Sequence, residues 1–199
     1  MNLFAEKIPL PQLILLGLVS LVVLINTLFE QSLVELLPYE RELIAEGEYW
    51  HMLSGHFMHL TWGHLWMNLA GLIFIFYFFG SLISATHWAI LIFFSGMFIS
   101  IVLYFTQPTL HSYVGLSGVL HGLFIAGGIA DLKPRRKEAI LFLIFIIGKL
   151  LYEQIQGPLP GSEESAGGPV LVDAHFYGGV AGGIYMLGVY AKQYLRKTT

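Results

Sequence analysis

Cysteine is absent from this 199-residue chain. Its absence excludes a disulfide framework, a thiol nucleophile and a thiolate metal site. Charge is scarce as well: 12% of the residues are charged against 56% hydrophobic, with 15 Phe, 10 Tyr and 4 Trp. So apolar a balance excludes an ordinary soluble domain and indicates a chain embedded in a membrane. No basic stripe stands beside stacking aromatics, which excludes a nucleic-acid partner. The pattern HExxH is missing too, so the 8 histidines do not read as a metalloprotease centre, and neither metal nor cofactor is expected.

What the chain has is a series of apolar runs, at about 10–29, 56–80, 87–105, 115–131, 138–155 and 170–190. They predict an all-α polytopic membrane protein, a single domain over 1–199 built as a six-transmembrane-helix bundle. Pro9 and Pro11 suit the start of the first helix. That helix lacks a small-residue cleavage site and is followed by further spans, so it reads as retained rather than as a signal peptide. The stretch after it is acidic, with Glu30, Glu35, Glu40, Glu42, Glu46 and Glu48 against Arg41 alone, and is expected to fold on the membrane surface. A second loop, GPLPGSEESAGG at 157–168, has the Gly, Pro and Ser content that resists regular structure. With Lys7 inside, an even number of crossings puts Lys133, Arg135, Arg136 and Lys137 inside, together with Lys192, Arg196 and Lys197. This is the asymmetry expected of cytoplasmic loops.

The same topology gathers the unusual polar residues at the outer leaflet. Ser117 stands at the head of the segment YVGLSGVLHGLFIAGGIAD, between Gly115 and Gly118. In the first turn of a helix a hydroxyl sits among N–H groups that lack intrahelical acceptors and could stabilise a developing oxyanion. At ~1.5 Å per residue, Gly115 to Ala130 spans roughly 24 Å, less than the ~30 Å hydrocarbon core, so the serine is expected below the surface in a water-accessible cavity. A base is available in His175, at the head of the last apolar run. Gly118 and Gly122 repeat at four residues, as do Gly179 and Gly183, and these two small-residue stripes are expected to pack and bring the serine and histidine together.

His64 and Asn68, also four apart, share a helical face and can each donate to an anionic oxygen. With the Ser117 N–H they form a candidate oxyanion hole; Asn68 could equally serve as interhelical glue. His59 and His56 are weaker candidates, and Trp50, Trp62 and Trp66 read as interfacial anchors. Asp173 lies two residues before His175 and points to another side once the helix has begun, so a serine–histidine dyad is expected with no carboxylate completing a triad.

Three blocks carry a family resemblance: GHFMHLTWGHLWMN with His59, His64 and Asn68; GLSG at Gly115 to Gly118; and AHFYGGVAGG with His175, Gly179 and Gly183. In this order they resemble the rhomboid family of intramembrane serine proteases. GLSGVLHG, with His121 where many rhomboids carry tyrosine, is most similar to the rhombosortase branch. The first loop departs from the family in lacking an adjacent Trp-Arg pair. The resemblance implies catalysis by Ser117 and His175, an oxyanion hole from Ser117, His64 and Asn68, and support from His121, Gly115, Gly118 and His59. It further implies a bacterial inner-membrane location, with both termini cytoplasmic and the site open to the periplasm. Substrates would be transmembrane or C-terminally tailed exported proteins with Gly-Gly-containing sorting tails, met within membrane lipid. Three roles stand open for His121: filling space, hydrogen-bonding the second nitrogen of His175, or acting as the base. The plain fifth helix and its flexible loop are expected to move aside for substrate. Two non-enzymatic alternatives remain, a catalytically silent rhomboid-like protein that binds membrane clients and a histidine-ligated haem protein.

Overall fold

The structure, a computed structural model, describes residues 7–29, 33 and 36–198. Glu30 and Glu35 of the acidic stretch, and the Lys197 side chain, lie outside that description. The chain is an all-helical, multi-pass membrane bundle with one minimal strand pairing. Its elements are α1 (Leu10–Leu28), β1 (Tyr39–Glu40), α2 (Arg41–Ala45), α3 (His51–Ser54), α4 (Trp62–Phe79), α5 (Ala85–Thr106), β2 (Ser112–Tyr113), α6 (Ser117–Asp131), α7 (Arg136–Gln156), α8 (Ser162–Ala166) and α9 (Val172–Thr198). Among the described residues, three helices are long and apolar enough to cross a membrane by length and composition: α1, α4 with the turn that follows it to Leu82, and α5. α6 is shorter but also apolar.

α6 is the hub. It packs against α9 most intimately and also against α5, α7 and α4, while α1 leans on α4 and α5 from outside. Most of α6 is buried, and its small residues explain how so many neighbours approach one helix. Leu65, Leu72, Ile75 and Phe76 of α4, Leu91, Ile99 and Leu103 of α5 and Leu123 of α6 form the interior. Leu18 and Leu21 of α1 and Leu141, Ile144 and Phe145 of α7 stay exposed, as lipid-facing residues must.

Local chemistry sets the boundaries that matter for the site. The second apolar run was expected to turn helical near residue 56, but a 3-10 turn at Gly55–Phe57 is followed by an extended break, and α4 begins only at Trp62. Thr61 explains the delay: its backbone is extended and its hydroxyl caps the helix by accepting from His64 N at 3.1 Å. The break leaves His59 off the helix.

A second correction concerns the loop at 157–168, which contains the single-turn helix α8. Gly161 and Gly167, at φ of 79° and 76°, bracket it. Left-handed glycines start and stop one turn of helix that composition alone reads as irregular. The loop is also latched, since Thr61 Oγ1 donates to Ser165 O at 3.0 Å and a Cβ added at Gly63 would meet that same carbonyl at 2.7 Å.

The first loop lies against the approach to α6. β1 pairs antiparallel with β2, Tyr39 opposite Tyr113 and Glu40 opposite Ser112. Arg41 spans to the end of α5, donating to Tyr104 O at 2.8 Å with its guanidinium 4.4 Å from the Tyr104 ring centroid.

Candidate active site

Ser117 opens α6. The segment before it is held by Gly115 N donating to Gly55 O at 3.0 Å and by Tyr113 OH donating to Gly115 O at 2.9 Å. Gly115 has φ of 125°, and a Cβ there would come within 2.8 Å of the His64 ring, so both backbone and space require glycine. The first intrahelical bond runs from Leu120 N to Leu116 O, which leaves the N–H groups of the opening turn without helical acceptors.

Ser117 Oγ lies 2.9 Å from His175 Nε2. His175, buried in the first turn of α9, reaches this position because α6 and α9 touch backbone to backbone. A Cβ at Gly118 would stand 2.9 Å from Ala174 O, and Cβ atoms at Gly178 and Gly182 would fall onto the carbonyls of Gly118 and Gly122. The α9 stripe is therefore Ala174, Gly178 and Gly182 rather than Gly179 and Gly183. Gly179 faces Leu150 of α7, and nothing lies within 4 Å of a Cβ at Gly183. Residues three and four beyond His175 both lie near its face, so periodicity left two registers open, and backbone packing selected one.

The other nitrogen of His175 has a partner that sequence reasoning missed. Glu153 Oε2 sits 2.9 Å from His175 Nδ1. A carboxylate only accepts, so Nδ1 carries the proton and Nε2 keeps the lone pair that faces Ser117. The expectation that no carboxylate would join the pair is thus overturned. Asp173, rightly set aside, accepts from Gln107 Nε2 at 2.6 Å instead. The missed signal was Lys149 with Glu153, ionisable residues four apart in an apolar helix.

His121 does not hydrogen-bond His175. Its ring stacks on that of His175, centroids 4.3 Å apart and planes at 24°. Its Nδ1 donates to Ser117 O at 2.7 Å, and its Nε2 accepts from Lys149 Nζ at 2.7 Å. A bond to its own helix, one turn back, captured the nitrogen that would otherwise have reached across. Lys149 Nζ also donates to Glu153 Oε2 at 2.8 Å. Ligand atoms of His121, Glu153 and His175 lie within 4.8 Å of one another, close enough to hold a metal ion, and the Lys149 ammonium stands among them.

Across from this cluster the His64 ring abuts Gly115, while Asn68 Nδ2 donates to His64 O at 3.0 Å within its own helix. His59 is fully buried, its ring edge-on to His64 at 4.8 Å, with neither nitrogen bonded to a described residue. His56 is a tie between elements: Nε2 lies 2.9 Å from Gly96 O and 3.0 Å from Ser100 Oγ of α5. His59, His64, Asn68, Ser117, His121 and His175 all line one cavity of about 830 Å³. Gly71 and Met67 of α4 form one wall and Phe145, Ile146 and Lys149 of α7 the other. Most of its surface is apolar, and the polar groups converge at the Ser117 end.

A half-buried serine hydrogen-bonded to a buried histidine lies beside an apolar cavity in a membrane bundle. The family profile described as Rhomboid domain matches residues 46–192. The chain belongs to the rhomboid family. A search of the curated proteins finds no match. The region matched in this rhomboid begins before α3 and ends within α9, so it includes every residue named at the site.

Proposed function

We propose that this rhomboid is an intramembrane serine endopeptidase that cleaves membrane-spanning C-terminal tails of exported proteins, and that Ser117 and His175 are its nucleophile and base. The observation that carries this reading is the 2.9 Å contact between Ser117 Oγ and His175 Nε2, both lining a cavity of about 830 Å³. The reaction uses both nitrogens of the base. As a substrate carbonyl docks, the Ser117 proton passes to His175 Nε2 and Oγ attacks the carbonyl carbon. The tetrahedral oxygen faces the Ser117 N–H and the side chains of His64 and Asn68. His175 then protonates the departing amine, and water hydrolyses the acyl-enzyme by the reverse sequence. The apolar cavity suits a membrane-spanning tail, and GLSGVLHG favours Gly-Gly-containing tails, as in the rhombosortase branch.

Six spans are proposed for the single domain, with α6, α7 and α9 completing the crossings made by α1, α4 and α5. The ends of the helices support one orientation. Arg135 at the foot of α7 bonds Phe78 O at the foot of α4 and Asp131 at the foot of α6, so the basic loop marks the end opposite Ser117. We assign that end to the cytoplasm, with both termini, and the Ser117 end to the periplasm of a bacterial inner membrane.

The test is detergent-purified protein treated with a fluorophosphonate probe and assayed on a Gly-Gly-tailed membrane substrate. Wild type is expected to label and cleave, while folded S117A and H175A do neither. Near-normal cleavage by folded S117A would refute the protease reading, and labelling with indifference to the Gly-Gly tail would refute the substrate class alone.

A further inference from the structure

Helix α7 carries only two charged residues in the apolar stretch beyond its first turn, Lys149 and Glu153, and both turn inward, 16% and 2% exposed. Charges at this depth persist only when paired, and they commonly serve function. Fold stability is a weak reason to keep them, because a buried ion pair gains little over apolar residues of the same volume. Their reach supplies a better reason. Glu153 crosses to α9 and accepts from His175 Nδ1, while Lys149 crosses to α6 and donates to His121 Nε2. His121 in turn donates to Ser117 O. The hydrogen bonds therefore form a closed ring, leaving Ser117 through its hydroxyl, passing His175, Glu153, Lys149 and His121, and returning to the Ser117 carbonyl.

We propose that Glu153 is the positioning carboxylate of a Ser117–His175–Glu153 triad, and that Lys149 is its resident cation, seated where His121, Glu153 and His175 would otherwise chelate a metal ion. This rests on the serine-protease reading above. Glu153 takes no proton during the reaction; it holds His175 Nδ1–H so that Nε2 accepts the Ser117 proton and later delivers it to the leaving amine. Lys149 neutralises that carboxylate, whose burial as a lone anion would be costly. Its Nζ stands 2.7 Å from His121 Nε2, 2.8 Å from Glu153 Oε2 and 3.4 Å from His175 Nδ1. A metal bound at His175 Nδ1 would displace the proton there to Nε2 and disable the base. The ammonium prevents this with a charge that cannot dissociate from the chain.

Two experiments test the proposal. In the first, E153Q and the charge-free pair K149M/E153Q are compared with E153D in turnover on the tailed substrate. Loss of the carboxylate is expected to lower kcat roughly 100- to 10,000-fold with little change in KM, because the base loses its tautomer and not its pocket. E153D recovers part of the loss. K149M/E153Q removes both charges, so it guards against a misfolded single variant; a folded double variant turning over within about 3-fold of wild type would overturn the triad. In the second, K149A and wild type are titrated with Co²⁺. K149A is expected to develop visible Co²⁺ absorption and to lose fluorophosphonate labelling until EDTA is added, while wild type changes in neither. Folded K149A that takes up no Co²⁺ would overturn the resident-cation role. The absorption is read without any turnover, so it stands apart from failure of the protease reading, which S117A alone decides.

Discussion

Helix α6 has two contrasting sides. Toward α9 it is sealed: Gly118 and Gly122 meet Gly178 and Gly182 with no room for a methyl group. Toward the gap between α4 and α7 it is open along the cavity of about 830 Å³. At the end away from Ser117 those two helices do touch, Phe142 lying 5.0 Å from Phe79 and 6.5 Å from Phe74 between ring centroids. Toward the Ser117 end the cavity separates them. The sealed side holds Ser117 and His175 in register, and under the proposed function the open side leaves space for a substrate to reach them. Precision and access are thus assigned to opposite faces of one helix.

Breaking the sealed side is expected to have the largest effect. Gly178→Val puts side-chain atoms onto the Gly118 carbonyl, which is backbone and cannot rotate away. The expected cost is about 3 kcal/mol in stability. Activity should fall further than stability, since a shift of ~1 Å between reacting groups costs about 100-fold. The thermal midpoint and turnover of G178V check this, and G183V, which meets nothing, serves as its control. Equal behaviour of the two variants would erase the distinction between the faces of α9.

His64 and Asn68 line the cavity on the open side together with Ser117. Removing either is expected to lower kcat ~100- to 1,000-fold, or about 3 to 4 kcal/mol of transition-state stabilisation, with the thermal midpoint nearly unchanged. If N68A instead retains turnover and loses stability, Asn68 is structural, and its bond to His64 O within α4 is the contact that accounts for it.

Access through the open side sharpens the comparison further. The native chain has no cysteine, so M67C/F145C introduces one thiol on each wall of the cavity. Bridging them with a short bismaleimide is expected to suppress cleavage of a membrane substrate about 10-fold or more, by blocking lateral entry rather than chemistry. Fluorophosphonate labelling measured in parallel should fall far less. An unchanged cleavage rate would place entry elsewhere.

The smallest effect is expected at the surface, away from both sides of α6. Glu42 of α2 accepts from His111 Nδ1 at 2.6 Å. That hydrogen bond holds the Glu42 carboxyl below its ordinary range. A carboxyl depressed by folding adds stability above its unfolded pKa, and the gain is lost as pH falls through the folded value. Glu42→Gln should therefore lower the thermal midpoint slightly near neutrality and not at all in acid, with turnover unaffected. Screening in water keeps the effect small.

Composition alone carried the membrane character, because an apolar excess of this size has no soluble solution. The spacing of GLSG, AHFYGG and GHFMHLTWGHLWMN carried the family, whose profile matches across these blocks. Ser117, His175 and His64 were legible as residues, since hydroxyl and imidazole groups in apolar helices are conspicuous by cost. Lys149 and Glu153 stood in the chain too, four residues apart on a helix that read only as plain. Nothing along the chain says which way that helix is turned.

Rotation and register are where tertiary structure decided the outcome. A repeat of four in two helices shows that they can approach closely, yet Gly178 with Gly182 and Gly179 with Gly183 satisfy it equally; only the fit of backbone against backbone separates them. Thr61 shows the reverse case, a local cap strong enough to end an apolar run that hydropathy would have continued. The sequence by itself determined that the chain is an apolar helical bundle of the rhomboid family with a serine, several histidines and an asparagine at its polar end, because burial cost and spacing are properties of the chain. Tertiary structure alone decided that Glu153 meets His175, that Lys149 meets His121 and that one face of α6 is shut while the other is open. Those contacts join residues 22, 28 and more positions apart, and each depends on how one helix is rotated against another.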